Sequence, residues 1–285
     1  MSALSISRLQ TYRAETYHLH PHLRLQTSEQ AEDFVNQRGF IHFWPIKGVE
    51  LPSLWAAVAG ERPVADAHDD PGHITWGWKD ANLGARRWYY AKVIRKKATL
   101  ISWALAPAFY ALSENYGAPD EDYLIQYQEG HLTQEARLIF EALLDHGPLD
   151  TPELRRRTHL TSRKSNSPFE RGLAQLQADF KILPVGISDS GAWHYAFIYD
   201  LVHRHYPQLP EQARPIRQRV ARIEICRRYL QAVGAASLKD VSRLFGWRKS
   251  DAQRALDTLV TEGLLQAGVE ITGLSDPYYV LPELL

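Results

Sequence analysis

The sequence predicts a mainly helical α+β protein made of three consecutive modules, and three observations lead to this prediction. The chain of 285 residues is too long for one small hydrophobic core and suits two or three modules. Its hydrophobic fraction of 45% is typical of a folded globular protein. Two segments, residues 133–201 and 220–281, repeat one order of predicted elements.

The first repeated segment has the pattern of three helices followed by a β-hairpin. An apolar helix is predicted over residues 136–144, and the next helix takes Thr151 as its N-cap. A third helix with apolar residues at helical spacing follows a loop rich in serine and basic residues. Apolar stretches over residues 182–187 and 193–199 then predict the two strands of the hairpin.

The second repeated segment has the same order. A helix over residues 223–233 is followed by a helix that begins at Ser237, with Asp240 three residues later as in a capping box. After a third helix, residues 264–271 and 278–281 predict another hairpin.

Three helices and a hairpin are the elements of a winged helix, a helix-turn-helix module. Its third helix can enter the major groove of DNA while the hairpin contacts the backbone or the minor groove. The same fold also serves as a protein–protein module, so a role as an interaction scaffold stays open.

The N-terminal third is less regular and predicts a divergent third module. Helices are expected over residues 28–37, 51–58 and 86–96, followed by a strand over residues 98–102. The predicted division of the chain is an N-terminal extension over residues 1–27 and winged helices over residues 28–125, 126–210 and 211–285.

Three stretches of sequence resemble one known family. They are Leu51-Pro-Ser-Leu-Trp55, Lys97-Ala-Thr-Leu-Ile-Ser102 and the spaced set Arg228-Tyr-Leu230, Gly234 and Asp240. The chain resembles the winged-helix DNA glycosylases of the AlkZ/YcaQ type, which act in the repair of alkylated and crosslinked DNA. The resemblance implies three tandem winged helices arranged around DNA.

Two parts of that family's pattern are missing. The family has Gln-x-Gln or Gln-x-Asp just before the helix that contains Leu-Trp, and residues 42–50 of this chain, His-Phe-Trp-Pro-Ile-Lys-Gly-Val-Glu, contain neither. Ile101 stands where the family has a histidine. The chain therefore looks like an AlkZ-related branch, and whether it is an active DNA N-glycosylase stays open.

A rebuilt glycosylase site would need a pocket for a flipped base and a carboxylate. The sequence offers Trp44, Trp76 and Trp78 as walls of the base pocket and Asp80 or Glu50 as the carboxylate. Alternating tryptophans in Trp76-Gly-Trp78 would place two rings on one side of a strand. The alternative is that the tryptophans belong to the core and the acids are helix caps or surface ion pairs.

Formal net charge is zero, but the basic residues are segregated into clusters that can contact the phosphates of double-stranded, possibly damaged DNA. Trp88-Tyr-Tyr90 stands among such residues and suits either stacking on bases or an amphipathic helix with a solvated basic face. The residues expected to bind DNA are Arg86, Arg87, Lys92, Lys96, Lys97, Arg163, Lys164, Arg171, Arg248, Lys249 and Arg254.

Other classes of site find little support. His18, His20 and His22 could share one face of an extended chain, but no further ligand stands nearby, so we expect no metal and no cofactor. Cys226 is expected to be a buried, inert thiol. Without a signal peptide or a long apolar run, we expect a cytoplasmic monomer that associates with the nucleoid when DNA-bound. A winged-helix transcriptional regulator stays open as an alternative to a repair protein.

Overall fold

The chain folds into a mixed α+β structure in which one order of elements occurs three times. The computed structural model describes residues 3–191 and 193–285. Each of three units runs helix, strand, helix, helix, strand, strand, with short 3-10 turns between some of the elements. In the sheet of each unit, the last strand lies between the other two.

The N-terminal segment and the first unit contain eight elements. In chain order they are β1 (Ala3–Leu4), α1 (Ile6–Thr16), α2 (Ser28–Arg38), β2 (Phe40–His42), α3 (Leu54–Ala59), α4 (Ile74–Ala85), β3 (Tyr89–Lys92) and β4 (Ala98–Ile101). The predicted helix over residues 28–37 and the strand over residues 98–102 are confirmed as α2 and β4. Helix α3 begins later than predicted because the Ser53 hydroxyl accepts from the Ala56 amide and caps it there.

The prediction of a helix over residues 86–96 is wrong. Residues Tyr89–Lys92 form β3, which pairs along its length with β4, and a 3-10 turn over Ile94–Lys96 follows. Tyr89, Tyr90 and Ala91 are all buried, so both faces of this strand are covered. A strand buried on both faces lacks the alternation that separates strand from helix in a sequence.

Two short helices lead to the second unit, which matches its prediction closely. These elements are α5 (Ala106–Tyr110), α6 (Asp122–Gln128), α7 (Gln134–His146), β5 (Leu149–Asp150), α8 (Thr151–Arg157), α9 (Asn166–Ala178), β6 (Ile182–Ser188) and β7 (Ala196–Leu201). The hairpin is confirmed as antiparallel β6 and β7. The N-cap of α8 is Asp150, not Thr151, because the Asp150 carboxylate accepts from the Glu153 amide.

The third unit follows two further short helices. The elements are α10 (Val202–His205), α11 (Gln208–Ala213), α12 (Gln218–Val233), β8 (Ala235–Ser237), α13 (Leu238–Phe245), α14 (Lys249–Thr261), β9 (Gln266–Ile271) and β10 (Tyr278–Val280). The capping box predicted at the start of α13 is confirmed, with Ser237 and Asp240 bonding each other's backbone amides. Cys226 is confirmed as fully buried, in α12.

The N-terminal segment joins the third unit. Strand β1 adds to the sheet beside β9 in parallel, and α1 packs on α12. Gly234, which ends α12 with a φ of 77°, leaves room for this contact, because a Cβ there would lie 2.8 Å from Tyr12. Residues 1 and 2 of the predicted extension lie outside the described part of the chain.

One hydrophobic core runs through all three units, and two smaller cores belong to the first and second units. The large core centres on α12 and the β9–β10 sheet and includes Phe40 and Tyr89 of the first unit. Phe180, which follows α9, also lies in it. The units therefore pack against one another through shared apolar residues.

Candidate nucleic-acid interface and aromatic site

An aromatic cluster lies where α4 of the first unit meets the β6–β7 hairpin of the second. The ring centroids of Trp44 and Trp76 are 6.1 Å apart, and those of Trp76 and Tyr195 are 6.3 Å apart. Trp55 packs 5.4 Å from Trp44, and His73 contacts both. The term aromatic cluster refers below to these five residues.

Beside the aromatic cluster, Lys79, Asp80 and Tyr195 form a closed triangle of hydrogen bonds. The Lys79 ammonium donates to the Tyr195 hydroxyl at 2.7 Å and pairs with Asp80 Oδ1 at 2.6 Å. The Tyr195 hydroxyl donates to the same Asp80 oxygen at 2.9 Å. This triangle fixes the hairpin of the second unit against α4.

The Lys79 ammonium is enclosed by aromatic rings. Only 3% of the residue is exposed, and Nζ lies 4.4 Å from the ring centroid of Phe197. Burial lowers the pKa of Lys79, and the Asp80 carboxylate partly offsets this by favouring the charged form. The pKa of Tyr195 is raised by burial and by its hydrogen bond to Asp80.

Trp76-Gly-Trp78 forms part of a helix, not a strand, which corrects the prediction that both rings share one side. Residues two apart on a helix point to different faces. Trp76 is 42% exposed and belongs to the aromatic cluster, whereas Trp78 is 9% exposed and packs in the core of the first unit. Trp78 is therefore a core residue and not a wall of the cluster.

Glu50 lies at a different place from Asp80. Its carboxylate pairs with Arg13 of α1 at 2.8 Å. Tyr229, Asp240 and Arg243 of the third unit line a small cavity with it. Of the two predicted carboxylates, Asp80 is the one that the fold brings to the aromatic cluster.

His42 occupies the window where the family pattern has its catalytic residues. It ends β2 and is 1% exposed. Burial lowers its pKa to about 4, so its imidazole is neutral at pH 7.

The interpretation of Trp88-Tyr-Tyr90 as a stacking surface is wrong. Trp88 is 2% exposed and Tyr89 is fully buried, because this stretch enters and forms strand β3. Nearby, Arg87 pairs with Glu29 and Glu32 of α2.

The predicted basic residues of the second unit lie on and before α9. Arg163, Lys164 and Arg171 are exposed. Lys92 of the first unit reaches the same helix, with Nζ 3.8 Å from Glu170. In the C-terminal half of α9, Gln177 accepts from the Lys92 amide of β3, and residues 172–178 are buried or half-buried. The exposed residues of the helix lie in its N-terminal half, at positions 166, 167, 170 and 171.

Basic residues of the first and third units meet at a cleft of about 400 Å³. Arg95, Arg222 and Arg248 line it, together with Asp179. Burial raises the pKa of Asp179 to about 6, and the nearby charges of Lys181 and the exposed Lys96 offset only part of this.

The other predicted basic residues have varied surroundings. Arg86 holds its guanidinium 5.4 Å from the ring centroid of Tyr206. Arg254 pairs with Asp251 on α14, whereas Lys97 and Lys249 are exposed. The eleven predicted basic residues therefore occupy several places on the molecule.

The histidine-rich stretch before α2 has separate contacts. His18 packs on Phe34, with ring centroids 4.7 Å apart. His20 and His22 stack on each other at 5.7 Å.

Two functional candidates were missed by sequence reasoning. Tyr195 lies far from Lys79 in the sequence, and only the fold of the hairpin brings the two together. Trp193, in the turn of the same hairpin, is 88% exposed and offers a ring on which a base can stack. Its placement in a predicted strand hid this exposure, although a tryptophan next to a serine- and glycine-rich turn was a usable signal.

The model of the AlkZ-related family matches residues 25–246, about three quarters of the chain. The chain belongs to the AlkZ-related family. This confirms the resemblance identified from the three sequence motifs.

Further comparisons describe the fold and its parts. The AlkZ-related chain is similar to the structure of the Streptomyces sahachiroi DNA glycosylase AlkZ, with a TM-score of 0.60 and 17% identity. That match covers 99% of this chain and 71% of the other. The IclR helix-turn-helix domain model matches residues 228–267, which contain α13 and α14. A comparison with curated proteins found no matching sequence. Among the described residues, no helix is long and apolar enough to cross a membrane.

Proposed function

We propose that this AlkZ-related chain is a DNA-binding protein of three tandem winged-helix modules that acts in DNA repair. The observation that carries this proposal is the threefold recurrence of one element order, each time with the same order of strands in the sheet. A winged helix has this arrangement, and its third helix and hairpin are its usual DNA contacts. The corresponding third helices here are α4, α9 and α14.

The three third helices are not equally available to DNA. Helix α4 faces the hairpin of the second unit through Lys79 and Asp80. Helix α9 is open at its N-terminal half, and α14 exposes Lys249 and Arg254. We therefore assign the phosphate contacts to two sets of residues, one before and on α9 and one at the start of α14. They are Arg163, Lys164 and Arg171, and Arg248, Lys249 and Arg254.

The experiment measures the affinity of the full chain for duplex DNA at several salt concentrations. Wild-type binding should weaken steeply as salt rises, because each phosphate contact releases condensed counterions. Replacing the three basic residues at α9 by alanine should lower the affinity and flatten the salt dependence. The replaced residues are Arg163, Lys164 and Arg171.

A matched control removes three positive charges that already pair with glutamates on their own helices. Arg137 pairs with Glu141, and Arg156 and Arg157 both pair with Glu153. Alanine at these three arginines changes the net charge equally and should leave the affinity close to that of the wild type. Equal losses in both triple variants would contradict the assigned contacts. Absence of salt-dependent binding by the wild type would favour a protein-interaction scaffold.

A second function, base release from damaged DNA, is favoured by the aromatic cluster. Trp76 and Asp80 both lie on α4, and Trp44 follows β2 and packs on Trp76. Tyr195 contacts Trp76 and donates to Asp80. A flipped base needs flat apolar walls, and an oxocarbenium-like sugar is stabilised by a carboxylate. We propose Asp80 as that carboxylate.

Base release from alkylated duplex DNA tests this second function. The wild type should release the base and Asp80→Asn should lose that activity. Glu50→Gln should retain it, since Glu50 pairs with Arg13 beside the third unit. Loss of activity in Glu50→Gln but not in Asp80→Asn would assign the catalytic carboxylate to Glu50. No base release by the wild type would refute the enzymatic function and leave the DNA-binding proposal standing.

A further inference from the structure

A primary amine enclosed by aromatic rings is a chemical feature that neither DNA binding nor base release uses. The Lys79 side chain is 4% exposed and its Nζ lies within 6.0 Å of five ring centroids, those of Phe43, Trp76, Tyr90, Tyr195 and Phe197. We propose that Lys79 is a nucleophile that forms an imine with the sugar aldehyde of an abasic site in DNA. This inference rests on the proposed function, because the DNA surface must deliver the sugar.

The surroundings of Lys79 suit a nucleophilic amine. A lysine becomes a nucleophile when it loses its proton, and an apolar pocket disfavours its charged form. The Asp80 carboxylate, 2.6 Å from Nζ, can accept a proton from the ammonium. The Tyr195 hydroxyl, 2.7 Å from Nζ, holds the amine in position.

The sugar reaches the amine past Trp76. This indole is 42% exposed, its ring centroid lies 5.5 Å from Nζ, and it is the most exposed of the five rings around the amine. Lysine has a flexible four-carbon stem, which lets the amine swing outward once Trp76 rotates. A flipped abasic sugar carries no base. It is therefore smaller than a whole nucleotide and needs less room to reach the amine.

The proposed reaction balances without an oxidant or a reductant. The neutral Lys79 amine adds to the C1′ aldehyde of the ring-opened sugar. The proton that Asp80 took from the ammonium returns to the adduct, and water leaves to give a protonated imine. A base, for which Asp80 is placed, removes a C2′ proton, and the electron pair expels the 3′ phosphate. Water then hydrolyses the imine, which releases the unsaturated aldehyde and restores the amine.

The experiment traps the imine as a stable amine. The full chain is mixed with duplex DNA containing one abasic site in the presence of sodium cyanoborohydride, and covalent protein–DNA product is measured. Binding of the same duplex is measured in parallel without the reductant. We expect a covalent product whose modified peptide contains Lys79.

Two substitutions make the result specific. Lys79→Arg keeps the positive charge and the donors to Asp80 and Tyr195 but has no amine that forms an imine, so the covalent product should be lost. Lys181→Arg makes the same change at another buried lysine, whose ammonium donates to Asn115 Oδ1 at 3.0 Å, and should trap as the wild type does. A melting temperature for each variant shows that it is folded.

The outcomes separate this inference from the proposed function. A wild type that binds the duplex and gives no covalent product overturns the inference and leaves DNA binding standing. A product that persists in Lys79→Arg, or a modified peptide without Lys79, also overturns it. A wild type that does not bind the duplex overturns the proposed function itself.

Discussion

Lys79 shows how a buried charge is tolerated at the scale of a single residue. An unpaired ammonium in an apolar site is strongly destabilising, and Lys79 is stable there because it bonds to Asp80 and Tyr195. As a result, replacing any one of Lys79, Asp80 and Tyr195 removes a hydrogen-bond partner from the other two. The residue type at position 79 can be read from the sequence, but its burial depends on rings from two units.

Asp179 is a second residue whose burial has a measurable consequence. It follows α9, lines the cleft between the units, and burial raises its pKa to about 6 from an ordinary value of 3.8. Between about pH 4 and pH 6 the folded protein therefore binds more protons at this group than the unfolded chain. The stabilisation from the protonated group is complete below about pH 4 and is lost as the pH rises to 6.

We predict that Asp179→Asn stabilises the protein at pH 8 and leaves its stability nearly unchanged below pH 4. The full shift corresponds to about 3 kcal/mol, and partial solvent contact reduces the expected gain to about 1–2 kcal/mol. Urea unfolding at the two pH values measures it. Asp33→Asn, at an exposed carboxyl on α2, should change little at either pH.

His42 titrates in an overlapping range with the opposite sign. Its pKa is lowered to about 4, so its contribution to stability falls as the pH drops below 6.5. Each variant is therefore compared with the wild type at the same pH, where this contribution cancels. A gain from Asp179→Asn that is equal at both pH values would contradict the prediction.

At the scale of elements, the residues that begin a helix were easier to recognise in the sequence than whether a short segment is a helix or a strand. Ser237 and Asp240 identified the start of α13 because a capping box needs only residues three apart. Trp76-Gly-Trp78 suited a strand by alternation and lies in α4 instead. Three residues do not distinguish a period of two from a period of 3.6, so the surrounding turns decide.

We predict that Ser237→Ala lowers the free energy of unfolding by about 1 kcal/mol, the usual loss when an N-cap hydroxyl is removed. The hydroxyl accepts from the Asp240 amide at 3.1 Å and donates to the Asp240 carboxylate at 2.7 Å. Ser250→Ala, at an exposed position in α14, is the control and should cost less than about 0.5 kcal/mol. Equal effects in a denaturant titration would show that the cap contributes nothing specific.

At the scale of the whole molecule, residues from different units share one core. Phe180 of the second unit is 2% exposed and stacks on Tyr89 of the first at 4.5 Å. It also lies 6.1 Å from Tyr110 of α5. Packing of this kind holds the aromatic cluster together, since the cluster takes residues from the first two units.

We predict that Phe180→Ala destabilises the chain by about 3–5 kcal/mol, the usual loss for a buried phenylalanine. Its heat-unfolding transition, followed by calorimetry, should shift down and broaden as the second unit loosens from the first. Ile187→Ala, at an exposed position on β6 of the same unit, should leave the transition nearly unchanged. An unshifted transition in Phe180→Ala would show that this stacking does not couple the units.

The sequence by itself determined the class of fold, the repeated elements of the second and third units, the capping box at Ser237 and the family. These depend on local spacing, on caps and on motif residues that stand close together in the chain. It also indicated Trp44, Trp76 and Asp80, but with Trp78 and Glu50 beside them. Only the tertiary structure separated these residues, placed Lys79 among aromatic rings, and brought Tyr195 to Asp80. The physical reason is that contacts between distant segments depend on how whole units pack, and no local periodicity encodes that packing.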